Sequence, residues 1–228
     1  PVEPLTVTLP LRILGMIASP RDLPLLDVER EKQRMEQATE DLRARDLVDL
    51  TWLEGQTLSD LDKEMKNGPW HIFHFIGHGS FDREADEGFI FLSNEEGLSE
   101  ELSATQLGQL LDNYSLRLVV LNACEGARGS ERDIFSSTAS ILADKGIPAV
   151  LAMQYEITDQ AAIKFSHAFY EALANGMPVD GAVAEAREEI SLAVPNTLEW
   201  GTPVLYMRSP DGILFSIQRQ KITDKGQK

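Results

Sequence analysis

Four short runs with little polar interruption, at residues 11–18, 71–77, 117–122 and 148–153, constrain this chain more than any other feature. A run of six to eight residues that is apolar on successive positions suits a strand covered on both faces, as in a parallel sheet. Between these runs lie stretches with helical spacing. In 27–45, Val28, Met35, Ala38 and Leu42 recur among many charges, which predicts an exposed amphipathic helix. Further helices are predicted at 58–65, 103–111, 134–144, 159–174 and 179–190, with stops such as Asn67-Gly68-Pro69 and Asn175-Gly176-Met177-Pro178. Residues 47–53 alternate and predict a further strand, 203–207 and 213–217 predict closing strands, and the acidic stretch 82–100 predicts a surface β-excursion.

Strands alternating with helices predict an α/β fold, a mostly parallel central sheet with helices on both faces. No repeat or low-complexity linker divides the chain, so the expected organisation is an extension at 1–10, one domain at 11–217 and a frayed tail at 218–228. Pro1 in place of an initiator Met, with no tripartite signal after it, fits a cut from a longer polypeptide.

Charge narrows the function. The chain carries 21 basic and 37 acidic residues, a formal net charge of −16. That field opposes binding to a phosphate backbone, so nucleic acid is not an expected ligand, whereas a basic peptide or partner is attracted. No apolar run approaches the roughly 20 residues needed to cross a bilayer, so no membrane role is expected. The single cysteine cannot close an internal disulfide or build a thiolate metal site, which leaves packing or chemistry, in a reducing, cytoplasmic setting.

In doubly wound sheets, sites form beyond the carboxyl ends of strands. The third predicted strand runs out as Phe75-Ile76-Gly77-His78-Gly79-Ser80 and the fourth as Leu121-Asn122-Ala123-Cys124-Glu125-Gly126. His78 and Cys124 thus stand at equivalent positions, and neighbouring strands lie about 4.8 Å apart. A thiol becomes a nucleophile when a base or a positive setting yields the thiolate. A lone buried cysteine is usually packing; beside His78, catalysis becomes the better account. Gly77 and Gly79 are expected to let the backbone turn tightly, and the N–H groups of Gly79 and Cys124 are candidates for an oxyanion hole.

Other polar residues are weighed against simpler roles. His74 and His78 are too far apart along a strand to chelate one ion, and Phe75 stands where a zinc helix needs its Glu, so neither metal nor cofactor is expected. His71 and His74 are read as core residues. Asp82 is a candidate for contacting basic substrate residues or orienting His78, although a solvated loop explains it as well. A nucleotide or phospho-receiver domain is disfavoured, because Ala18-Ser19-Pro20-Arg21-Asp22 replaces a glycine-rich phosphate loop.

The His78-Gly79 and Asn122-Ala123-Cys124-Glu125-Gly126 segments resemble the His-Gly and Gln-Ala-Cys-x-Gly of caspases, and their 46-residue separation is near the typical value of about 50. With Phe169-Tyr170-Glu171-Ala172-Leu173, the wording is similar to the CHAT family of caspase-like peptidases. The resemblance implies a caspase-hemoglobinase fold, a His78 and Cys124 dyad, a protein or peptide substrate, and attachment to upstream sensor or repeat domains in a bacterial defence or regulatory protein. It also implies that the residue two before the cysteine lines the first specificity pocket. There Asn122 carries no charge, so strict Arg or Lys preference is not expected unless Asp82, Glu125 or Asp159 folds over the pocket. The competing function is a catalytically silent scaffold that binds partners or oligomerises.

Overall fold

The apolar runs form the strands of a six-stranded sheet in the computed structural model, which describes residues 2–123, 134–155 and 157–218. In chain order its strands are β2 (Leu11–Ile17), β3 (Val48–Trp52), β4 (Ile72–Gly77), β8 (Leu118–Ala123), β9 (Ala149–Met153) and β10 (Pro203–Met207). Their spatial order is β10-β9-β8-β4-β2-β3, parallel throughout except that β10 runs antiparallel to β9 at one edge.

Strand alternation divides the core in two. Ile13, Ile72, Val120 and Leu151 face α1 (Val28–Ala44), α5 (Asp159–Ala174) and α6 (Val179–Ala193). Leu14, Phe73, Phe75, Val119, Leu121 and Val150 face α2 (Leu58–Met65), α3 (Ala104–Asp112) and α4 (Ile134–Asp144). Helices on both faces explain why the central strands lack a polar side. The mostly parallel α/β fold expected from sequence is therefore the fold observed.

Between β4 and α3 the chain leaves the sheet as an antiparallel sheet of β5 (Gly79–Asp82), β6 (Glu87–Ser93) and β7 (Ser99–Ser103), the expected surface excursion. It starts immediately after His78. Ile90, Leu92 and Leu102 anchor it in the core shared with α3 and α4. At Gly88 an added Cβ would lie 2.4 Å from Thr138 Oγ1, so β6 approaches α4 more closely than another residue allows.

Two features differ from the sequence reading. Residues within the expected N-terminal extension form β1 (Leu5–Thr8), which pairs in parallel with β11 (Phe215–Gln218) as a separate two-stranded sheet. β11 therefore does not close the main sheet. The strands are short and their partner is remote in sequence, so local pattern carries no signal for the pairing.

His71 and His74 are buried, as expected for core residues. Burial lowers both from an ordinary value near 6.5 to about 4, with the Arg12 charge adding to the effect at His71. Below about pH 6.5 the unfolded chain takes up a proton that the folded His74 refuses, so the native state loses stability as pH falls toward 4. Replacing His74 by Phe should flatten the urea-unfolding free energy across pH 6.5 to 4 by roughly 2 to 3 kcal/mol. An unchanged slope would contradict this.

Candidate functional site at the ends of two parallel strands

β4 and β8 end side by side. Their register pairs Ile76 with Asn122 and Gly77 with Ala123, the last described pair before His78 on one strand and Cys124 on the other. Cys124 and Glu125 lie outside the described residues, as does the Cys124 N–H of the expected oxyanion hole.

Gly77 serves its strand end differently from the expectation. It does not adopt a positive φ. An added Cβ there would instead lie 2.5 Å from the Phe75 ring and 3.2 Å from the Ala18 carbonyl, so the position is one of close approach.

His78 is 4% exposed and its ring is held. Its Nε2 lies 2.8 Å from the carbonyl oxygen of Pro24. A carbonyl only accepts, so Nε2 carries the hydrogen that it donates, and a neutral ring then has its lone pair on Nδ1. An imidazole fixed in this tautomer can accept a proton at Nδ1. Its own carbonyl accepts from Phe91 N–H at 3.0 Å, which ties the histidine backbone to β6.

Pro24 sits in the loop joining β2 to α1, which is fastened on every side. Leu26 packs with Ile17 and Ile76. Ser19 N–H donates to Gln56 Oε1 at 2.7 Å, Ser93 Oγ donates to the same oxygen at 3.1 Å, and Leu26 N–H donates to Ser19 Oγ at 3.1 Å. At the exposed edge, Asp22 accepts from Ser99 N–H and Oγ, each at 2.7 Å, while the Arg21 guanidinium donates to the Glu96 carbonyl. The Ser99 hydroxyl holds the Asp22 carboxyl below the usual carboxylate range. The loop that fixes His78 is thereby tied to β6 and to the β6–β7 turn.

The remaining candidates separate. Gly79 opens β5 opposite Ile90. Asp82 closes the same short strand, and its carboxylate accepts from Glu84 and Ala85 N–H at 2.8 and 3.2 Å. The described partner of the His78 ring is the Pro24 carbonyl, whereas Asp82 Oδ1 accepts within its own turn. Asn122 lines a cleft between the sheet and α5, together with His74 and Tyr170. Asp159 does not fold over that cleft; it pairs with Arg30 and Arg34 of α1.

A family model described as the CHAT domain matches residues 15–205. The chain belongs to the CHAT family. Its fold is similar to that of the Arg specific cysteine proteinase gingipain R (RGPB), with a TM-score of 0.54 and 14% identity over 89% of this chain and 47% of that one. It is also similar to the Drosophila initiator caspase Dronc, with a TM-score of 0.53 and 10% identity over 93% of this chain and 86% of that one. At such identities the likeness is one of fold. The CHAT chain thus spans about half the length of gingipain R. No curated protein sequence matches it.

The sequence singles out His78 as a candidate but gives no sign of Pro24 or Gln56. The Pro24 contact is made by a backbone carbonyl 54 residues away, and a carbonyl leaves no mark in residue type. Gln56→Ala removes the acceptor shared by Ser19 and Ser93. It should cost about 1 to 3 kcal/mol of stability. It should also speed solvent exchange of the His78 Nε2 proton seen by NMR. An unchanged exchange rate would show that the loop holds Pro24 without Gln56.

Proposed function

We propose that this CHAT domain is a cysteine endopeptidase in which His78 accepts the proton of Cys124. The observation that carries the reading is the Nε2 bond to the Pro24 carbonyl, which leaves Nδ1 as the basic atom of the ring. In the reaction, Nδ1 takes the thiol proton, the thiolate adds to the scissile carbonyl, and the charged oxygen is received by N–H groups at the strand ends, with Gly79 and Cys124 as candidates. The imidazolium then protonates the leaving amine. Water, deprotonated by the same nitrogen, hydrolyses the thioester and restores the thiol.

The setting proposed with this activity is cytoplasmic, as the proteolytic module of a larger protein or complex whose sensor or repeat domains govern it in bacterial, including antiviral, defence. Family membership and the acidic surface support a protein or peptide substrate over nucleic acid. Among the described residues no helix is long and apolar enough to cross a membrane.

A catalytically silent scaffold is the second reading. The family and the fold support it better than they support catalysis, because they reach no active dyad, and the 4% exposure of His78 favours it, since a working base must reach its substrate. A latent site opened by a partner reconciles that burial with catalysis.

The test is covalent trapping. A peptidyl electrophile should modify Cys124, found by mass spectrometry of the intact chain, and His78→Ala should slow modification at neutral pH by at least about a hundredfold. Cys124→Ala should abolish peptide cleavage while leaving the unfolding transition in place. Cleavage that survives in Cys124→Ala would end the peptidase reading, and absence of labelling in the partner-activated parent would favour the scaffold.

A further inference from the structure

One edge of the six-stranded sheet keeps backbone groups that the fold does not use. β10 is its outer strand, paired on one side with β9. Gln154 N–H donates to the Thr202 carbonyl at 3.1 Å and Arg208 N–H to the Pro148 carbonyl at 2.9 Å. Residues of an antiparallel strand alternate in the side to which their backbone groups point. Thr202, Val204, Tyr206 and Arg208 therefore turn toward β9, and Pro203, Leu205 and Met207 turn toward the open side. Pro203 has no N–H, and its carbonyl accepts from the Arg187 guanidinium of α6. Leu205 and Met207 remain, and neither has a backbone hydrogen-bond partner on that side among the described residues.

Two other edges are guarded. On β7, Asp22 accepts from Ser99 N–H and Gln106 from Ser103 N–H. On β3, Val48 is buried and Asp49 supplies a charge. β10 reads Pro203-Val204-Leu205-Tyr206-Met207 and bears no charge. Proline and charge are the usual devices that keep an edge from pairing, and here the proline stands only at the first residue. Met207 is 39% exposed, and Leu192, Leu198 and Trp200, in the segment leading into β10, are exposed as well. Such a strand is a template for another.

Charge chooses what pairs there. α6, tied to the start of β10 through Arg187, carries Asp180, Glu185, Glu188 and Glu189 against that single cation. Glu185 and Glu188 are exposed. A second copy of the chain would bring its own net charge of −16 to the contact, which like-charge repulsion opposes. We infer that the β10 edge receives an extended basic segment of a partner protein as an added strand, bonded through its backbone to Leu205 and Met207. Leu205 packs on the core shared with α1, α5 and α6, whereas Tyr206 packs on the opposite core. Lys or Arg residues of the incoming strand therefore lie on the α6 side, with their stems over Met207 and their heads toward the α6 carboxylates. Its apolar residues lie on the Tyr206 side. The surface is separate from the peptidase reading and stands whether or not Cys124 reacts.

The probe is a short capped peptide alternating valine with lysine, added to the 228-residue chain. Binding and backbone amide hydrogen exchange are followed by NMR. The Leu205 and Met207 amides should exchange at least about tenfold more slowly with peptide bound, while those of Val204 and Tyr206, already paired with β9, should not change. The same peptide with glutamate for lysine should bind at least about tenfold more weakly. Leu205→Pro removes an N–H that β9 does not use and should abolish the protection at Met207. If that chain does not fold, Glu185→Lys combined with Glu188→Lys should bring the two peptide affinities within about threefold of each other. Equal binding of the two peptides by the unaltered chain, or no protection by the lysine peptide, would overturn the inference. So would slow exchange of Leu205 and Met207 before any peptide is added, or protection that grows with chain concentration alone, which would seat a second copy at this edge.

Discussion

The parallel pairing of β4 with β8 governs everything placed at this site. Its register ends with Gly77 opposite Ala123, so the chain leaves both strands at the same level of the sheet. The same register sets His74 beside Val120 and Ile76 beside Asn122. Burial on both faces fixes that register, because a one-residue slip would move Phe73 and Phe75 out of the α2, α3 and α4 core and drive His74 into it. The apolar interior thus acts on the site through alignment.

What the sheet aligns, a loop completes. The β2–α1 connection runs over the ends of the strands and carries Pro24, whose carbonyl selects the tautomer of His78. Individually, exposed hydrogen bonds such as those of Asp22 to Ser99 contribute little. They act together with the Leu26 anchor and the Gln56 junction, and they join this loop to the β5–β6–β7 excursion. A displacement of that excursion therefore reaches His78 by two routes, the Pro24 loop and the Phe91 amide bond to the histidine carbonyl.

Electrostatics work at two ranges. The net charge of −16 sets a long-range field that draws basic segments toward the domain. The cleft below Asn122, by contrast, is lined among the described residues by uncharged side chains.

Elements with strong local patterns were legible in the sequence. The central strands, the six helices and the excursion at β5–β7 follow from apolar runs, helical spacing and glycine stops, and the helix start at Ser103 shows its capping box with Gln106. His78 was legible because it directly follows such a run. At Gly77 the local pattern points to a turn, whereas the position excludes a Cβ that would strike the Phe75 ring. The β1–β11 pair was illegible because four-residue strands at opposite ends of the chain share no local signal. Sequence by itself determined which segments are buried on both faces and which reactive residues follow them. Only the tertiary structure decided which nitrogen of His78 carries its proton and which group His74 meets. The partners are a Pro24 carbonyl 54 residues from His78 and a Tyr170 hydroxyl 96 residues from His74. Hydrogen-bond partners at such separations are set by packing of the whole fold, and residue pattern along the chain does not encode them.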